Sequence, residues 1–357
     1  MRCAVLHIGT EKTGSTSIQA FLSTHRSKLY ERGILFPQSC GLSCHSRLVA
    51  YTKENPDARL LQMIAVANER QTLRRWKRRF QQKHHKEVVR FHARNRGSST
   101  AIYSSEHFQS LVRESADIKR IHRLLCDYYD KVTLVVYLKR QDKMAFSAHN
   151  TAVQSGLDKR FSFDELSTGY YYDHLKLVSN WASVFGQECV KVRVCEKPRL
   201  RHQSVVSDLL HIAGLSELVS DLPPASVINE RLSPIAIELL LKFNHQYRAH
   251  SDVGGVPMLV FRKNLIKHLT SLYRKPGGDS GGDRVIGGPK PTQDAAQRFC
   301  AQFEASNTEL FDRFLGGAGF DQSFAEYPVT AAAQTAEVSD ELLSSVINQV
   351  LLNQGVG

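Results

Sequence analysis

The chain has 357 residues, 42% of them apolar, and a formal net charge of +12. That length carries one large domain or two small ones with a sizeable core, while no stretch reaches the roughly 18 apolar residues of a membrane span and the opening MRCAVLHIGT lacks the apolar segment and cleavage site of a secretory signal, so a cytoplasmic protein without integral membrane contact is expected. The charge favours anionic partners, and seven scattered cysteines, an odd number, exclude a disulfide framework.

In chain order, CAVLHIGT (residues 3–10) predicts a buried strand bounded by Gly9. A helix follows, capped by Ser15 or Thr16, with Ile18, Phe21, Leu22 and Leu29 as its apolar stripe. The connecting stretch HIGTEKTGSTSIQ looks like a phosphate-binding loop. Gly9 and Gly14 have the separation found in the triphosphate loop G-x-x-x-x-G-K-[ST], but Lys12 stands before Gly14 and Ser15 follows it. The backbone logic survives this change: amides at a helix N-terminus form an anion nest, and the helix dipole favours negative charge. Thr13, Ser15, Thr16 and Ser17 add hydroxyls, and Lys12 reaches the phosphate from the turn. The bland alternative is an ordinary strand-turn-helix rich in small polar residues.

Cys40, Cys44 and His45 form a short cluster, but no second pair with ligand spacing follows, so no metal is expected. Residues 55–97 read as a basic helical insertion. Within it, 70–96 carries eleven Lys/Arg against one acid, Glu87. Arg74, Arg75, Arg78 and Arg79 are candidates for holding an acidic acceptor; the alternative is a solvated helix face. The run has no interleaved aromatics beyond Trp76, Phe80 and Phe91, which argues against nucleic acid.

TAIYSS (100–105) predicts a second strand, followed by a helix through Leu125. VTLVVYL (132–138) is a third strand, the most strongly β-branched of all. Helices are expected at 142–155 and 173–185, and CVKVRV (189–194) is a fourth strand. Strands alternating with helices imply an α/β fold with a parallel sheet covered on both faces. Beyond Ser204 the chain reads as helical. Ser233 and Pro234 start one helix, the Gly/Pro-rich stretch 275–292 reads as a mobile loop, and another helix spans about 293–315. Leu342, Leu343, Val346, Ile347, Val350 and Leu351 form a stripe that docks on the body or on a second subunit, giving a homodimer. The expected organisation is a single domain over 1–330 and a tail, 331–357, with a short amphipathic helix.

EKTGSTSIQ resembles the 5′-phosphosulfate loop of sulfotransferases that use 3′-phosphoadenosine 5′-phosphosulfate (PAPS), whose core is K/R-x-G-[ST]-[ST]. In that family a later strand ends in Arg, with Ser eight residues on, and the two grip the 3′-phosphate. Here VTLVVYLKRQDKMAFS ends its strand in Lys139-Arg140, with Ser147 downstream. Spacing eight from Ser147 selects Lys139. Spacing seven selects Arg140, two helical turns away and near the same face. Lysine supplies charge without the bidentate fork of arginine, and both stay candidates. YSSEHF (103–108) and the W-x-x-x-F-G of NWASVFG are similar to segments of bacterial carbohydrate sulfotransferase-like proteins. The resemblance covers about residues 3–200. It implies a P-loop-type sheet, PAPS as donor with 3′,5′-ADP as product, no metal, and a carbohydrate or polysaccharide acceptor.

Sulfuryl transfer needs alignment and stabilisation of charge on the leaving phosphate, which suits Lys12 and the loop amides. The acceptor hydroxyl needs a base. The family often places one after the first helix, where this chain has His45, or at the end of the next strand, where it has Glu106 and His107. His45 suits a base near neutral pH and is slightly favoured. Glu106 serves with a raised pKa or as an orienter, and His107 is a candidate for holding the acceptor. Two other readings compete. A P-loop kinase is opposed by the position of Lys12 and by bases, not an acid, after the third strand. A non-catalytic binder of anionic glycans leaves the loop unexplained.

Overall fold

The computed structural model describes residues 1–65, 70–223, 232–273, 291–330 and 338–353. In chain order the elements are β1 (Arg2–His7), α1 (Ser15–Thr24), α2 (Arg26–Glu31), β2 (Ile34–Leu35), α3 (Ser46–Thr52), α4 (Ala58–Met63), α5 (Arg70–Arg94), β3 (Ser99–Ser104), α6 (His107–Leu111), α7 (Ser115–Cys126), β4 (Lys131–Leu138), α8 (Gln141–Gln154), α9 (His174–Phe185) and β5 (Val190–Val194). They continue with α10 (Val205–Ile212), α11 (Leu218–Asp221), α12 (Pro234–Tyr247), β6 (Asp252–Val253), β7 (Val256–Pro257), α13 (Met258–Leu272), α14 (Gln293–Ala301), α15 (Glu304–Leu315) and α16 (Asp340–Leu352).

The chain forms two compact units, not the single domain with a tail that the sequence suggested. The first comprises Met1–Lys139, Thr168–Ile228 and Glu304–Phe320; the second comprises Arg140–Ser167, Asn229–Phe303 and Asp321–Gly357.

In the first unit a five-stranded sheet runs in the order β2-β3-β1-β4-β5, and every pairing is parallel. Successive side chains leave opposite faces of each strand. Ala4, Leu6, Leu134, Val136 and Leu138 therefore enter one core, with Phe108 and Trp181. Val5, Val135 and Tyr137 enter the other, with Ile18, Phe21 and Leu210. Burial on both faces explains why β1 and β4 read as continuous apolar runs. The expected strands are all present. The added edge strand β2 has only two residues, too few for an alternation to register.

The expected first helix is two: α1 ends at Thr24, and the ring of His25 meets the carbonyl of Pro223 at 2.9 Å before α2 begins. The helix expected over 293–315 is also two, and the break between α14 and α15 coincides with the passage from the second unit to the first. The basic insertion forms α4 and α5, with 66–69 outside the described residues.

The second unit packs α8, α12, α13, α14 and α16 with the β6–β7 hairpin. Ser233 accepts from the Ala236 amide and Pro234 opens α12, as the sequence predicts. Leu343, Val346, Ile347 and Val350 of α16 are buried against α12 and α13, beside Phe243 and Leu265. The C-terminal stripe is thus satisfied within its own chain, so it gives no reason for a homodimer. Positions 275–290 of the expected Gly/Pro-rich loop lie outside the described residues. No helix among the described residues is long and apolar enough to cross a membrane.

Candidate functional site

In open parallel sheets, ligands bind beyond the carboxyl ends of the strands, where neighbouring connections diverge. In the first unit β1 leads to β2 on one side and β4 leads to β5 on the other, so the divergence falls between β1 and β4. The loop 8–14 sits there, anchored by backbone bonds. Ile8 and Thr10 donate to the carbonyls of Val135 and Tyr137 at 3.0 and 2.8 Å. Tyr137 N–H donates to the Gly9 carbonyl at 2.8 Å.

The helix cap differs from expectation. Gly14, at φ +90°, is the N-cap of α1, and neither Ser15 nor Thr16 supplies a side-chain cap. Thr13 Oγ1 and Ser15 Oγ donate instead to the Thr10 carbonyl at 2.6 and 3.5 Å, and both side chains are buried. They brace the loop. Thr16 and Ser17 are exposed on the first turn of α1, where the Ser17 N–H donates to the Gly14 carbonyl at 3.0 Å. Lys12 is half-buried and left-handed at φ +68°. Lys139, the last residue of the first unit's opening segment, approaches from β4, its Nζ donating to the Lys12 carbonyl at 3.4 Å.

Arg140 is elsewhere occupied. It belongs to the second unit and is 3% exposed. Its guanidinium donates to both oxygens of buried Asp142 at 2.7 and 2.8 Å and to Glu326 Oε1 at 3.0 Å. It also donates to the carbonyls of Asp321 and Ser323 and lies 3.8 Å over the Phe324 ring. Burial opposes its charge, but Asp142 and Glu326 outweigh that and hold its pKa above the ordinary value. This corrects the candidacy of Arg140 for a 3′-phosphate: its donors are spent on the protein. Ser147 lies half-buried on α8 in the same unit.

His45 also departs from expectation. It has no exposed surface. Its N–H donates to the Ser104 carbonyl at 3.0 Å, and its Nδ1 accepts from the Ser104 N–H at 3.2 Å. The ring stacks on Phe36 with centroids 4.4 Å apart. Burial first, then the nearby Arg26 charge, lowers its pKa to about 3. A base must meet its substrate, and His45 meets only protein. Its role is to pin the turn before α3 onto the end of β3.

Glu106, at the N-terminus of α6, is half-buried beside the loop. A Cβ on Gly9, whose φ is +105°, would come within 3.1 Å of Glu106 Cα, so glycine is what permits this approach. Gln19 of α1 donates from Nε2 to Glu106 Oε2 at 2.7 Å and to Ser104 Oγ at 3.4 Å. Ser104 Oγ and His7 Nδ1 share a bond of 2.8 Å. His7 is fully buried, and burial lowers its pKa to about 4.

His107 lies beside Glu106, nine-tenths buried, with Nδ1 4.0 Å from Glu11 Oε1. Tyr171 OH donates to Glu11 Oε2, and the Glu11 N–H donates to Gln109 Oε1, both at 2.8 Å. Cys44 meets Ser105 Oγ at 3.2 Å; burial and then Glu106 raise its thiol pKa to about 11. Cys40 and Cys44, neighbours in sequence, part in the fold: Cys40 Sγ lies 3.7 Å from His84 in the core, and Cys44 turns to Glu106. Sequence reasoning missed Gln19, Glu11 and Tyr171. Gln19 stands one helical turn after Ser15 and Thr16 of the hydroxyl run, the one signal that could have marked it.

Arg74, Arg75, Arg78 and Arg79 are exposed on α5, whose inner face carries Trp76, Phe80, Val88 and Phe91. Arg78 lines a surface hollow of about 380 Å³ with Lys77, Arg120, Glu54, Tyr51 and Gln81. Glu87 accepts from the amides of Gln38 and Ser39 at 2.8 and 2.9 Å, fastening α5 to the turn that follows β2.

No family model matches the chain. An uncharacterized protein of Archaeoglobus fulgidus is 24% identical over 219 residues, 60% of this chain and 54% of that protein. The chain thus spans about half the length of this curated relative. Among solved structures, a sulfotransferase from Alicyclobacillus acidocaldarius aligns over 70% of this chain and 96% of its own, with 16% identity and a TM-score of 0.38.

Proposed function

We propose that the protein moves a sulfuryl group from PAPS to a hydroxyl of a carbohydrate, with Glu106 as base. The observation that carries this reading is the convergence of Lys12 and Lys139 at the divergence of β1 and β4, above a helix N-terminus framed by Gly14. Two lysines and the N-terminus of a helix suit phosphate oxygens. A kinase wants a carboxylate for Mg²⁺ after such a strand; β4 is followed by Lys139.

In this reading Lys12 and the first amides of α1 offset charge growing on the leaving 5′-phosphate. Lys139 takes the role near the 3′-phosphate that Arg140 cannot fill. Glu106 accepts the acceptor's proton as the new S–O bond forms and the bond from sulfur to the phosphate oxygen breaks, releasing 3′,5′-ADP. Gln19 aims the carboxylate. An acidic glycan would draw on the exposed arginines of α5.

The test is thermal shift with 3′,5′-ADP against ATP–Mg²⁺, followed by transfer of labelled sulfate from PAPS onto a panel of oligosaccharides. Stabilisation by 3′,5′-ADP and labelled product are expected. Stabilisation by ATP–Mg²⁺ alone would move the protein to the kinases.

A further inference from the structure

We propose that Cys44, Glu106 and His107 form a binding site for a divalent cation of the zinc class. The three donors come from two separated stretches, the turn before α3 and the junction of β3 with α6, yet one ligand atom from each lies within 4.8 Å of the others. Cys44 Sγ is 3.9 Å from Glu106 Oε2. Thiolate, carboxylate and imidazole are the donor types that Zn²⁺ accepts. Tetrahedral zinc, with bonds of about 2.0–2.3 Å, sets its donors roughly 3.3–3.7 Å apart, so the cluster closes by about an ångström on binding.

Cys44 and Glu106 each have an outer partner that orients them, the usual company of a metal ligand. Ser46 Oγ donates to Cys44 Sγ at 3.5 Å, and Ser105 Oγ shares a bond with it at 3.2 Å. Gln19 holds Glu106 at 2.7 Å. An independent observation points to a ligand: His107 is nine-tenths buried, and its Nδ1 is a buried atom without a hydrogen-bond partner, the Glu11 carboxylate standing off at 4.0 Å. Buried polar atoms are seldom left this way.

Cys44 and His107 have no part in the transfer chemistry proposed above, so the site is not a restatement of it. Glu106 is shared. A cation on its oxygens removes the base, and that consequence rests on the transfer reading; binding itself does not.

The experiment titrates the full-length, metal-stripped protein with Co²⁺ as a spectroscopic stand-in for zinc, then displaces it with Zn²⁺. One equivalent of Co²⁺ is expected to give a thiolate-to-metal charge-transfer band. Cys44→Ser should abolish that band, and His107→Ala should weaken binding by more than the roughly 10–100-fold typical of losing an outer partner. Cys126→Ser, which removes an exposed cysteine 3.5 Å from His122, should leave the band unchanged. A complex without a thiolate band, or a band that survives Cys44→Ser, overturns the proposal. Because a variant can misfold, a second measurement uses the unaltered chain: Zn²⁺ should slow alkylation of Cys44, read by peptide mass spectrometry, and not that of Cys126. Equal labelling of Cys44 with and without Zn²⁺ overturns the proposal as well.

Discussion

Gln19 Nε2 donates to Glu106 Oε2 at 2.7 Å, joining the first helix to the end of β3 across the loop that carries Lys12. The bond fixes the direction of the carboxylate. A proton acceptor must sit within about 3 Å of the hydroxyl it serves, so an aimed carboxylate is worth more than a free one.

If Glu106 is the base, Glu106→Gln lowers turnover by about 10²–10⁴ while 3′,5′-ADP binding by calorimetry is retained. Gln19→Leu is expected to reduce turnover by about tenfold or more through misalignment. His45→Ala should instead lower the melting temperature, since the ring fills a buried space against Phe36. Full turnover in Glu106→Gln would mean that the base lies outside this cluster.

The two lysines separate by phosphate. Lys12→Ala is expected to weaken 3′,5′-ADP and 5′-AMP alike and to cut turnover further. Lys139→Ala should penalise 3′,5′-ADP strongly and 5′-AMP hardly at all. Calorimetry with both nucleotides reads the difference, and equal losses for Lys139→Ala would return that residue to a structural role.

Arg140 gives the opposite pattern. Arg140→Ala leaves Asp142, which has no exposed surface, as an unpaired buried carboxylate. Breaking such a pair costs about 3–5 kcal/mol. Lysine cannot replace the fork that grips both Asp142 oxygens, so Arg140→Lys also destabilises. Thermal denaturation measures both; a variant that melts like the parent but loses 3′,5′-ADP would restore Arg140 to the nucleotide site.

Acid should loosen the first unit. His7, His84 and His174 have folded pKa values lowered to about 4, and His45 to about 3, each chiefly by burial. The unfolded chain takes up these protons first, near pH 6.5. Stability is therefore whole above about pH 6.5 and falls as pH drops toward 4, by up to about 1.4 kcal/mol per pH unit for each residue. A melting temperature that stays flat from pH 7 to 5 would contradict this.

Charge reversal at Arg74, Arg75, Arg78 and Arg79 should raise the acceptor KM and leave 3′,5′-ADP affinity unchanged, and the activity of the parent should fall with salt. The four side chains are exposed, so folding should tolerate the change. An unaltered KM would leave this face as a solvated surface.

The sequence by itself determined what depends on near neighbours. The apolar runs of β1 and β4, buried on both faces, announce themselves as parallel strands without reference to any partner. The loop is equally local: Gly9, Lys12 and Gly14 set its backbone within six positions. Tertiary structure decided which polar residues remain available. Lys139 and Arg140 are adjacent and alike in sequence, but Arg140 is claimed by Glu326, 186 positions away, and by the Phe324 ring. Glu11 is tied by Tyr171 from 160 positions away. His45 and Glu106 both end near the carboxyl edge of the sheet, as expected, but Phe36 and Ser104 bury the first while Gln19 holds the second at a half-open position. Burial and the pKa it sets are properties of what packs around a side chain. For these residues the packing comes from distant segments, and local pattern carries no trace of it.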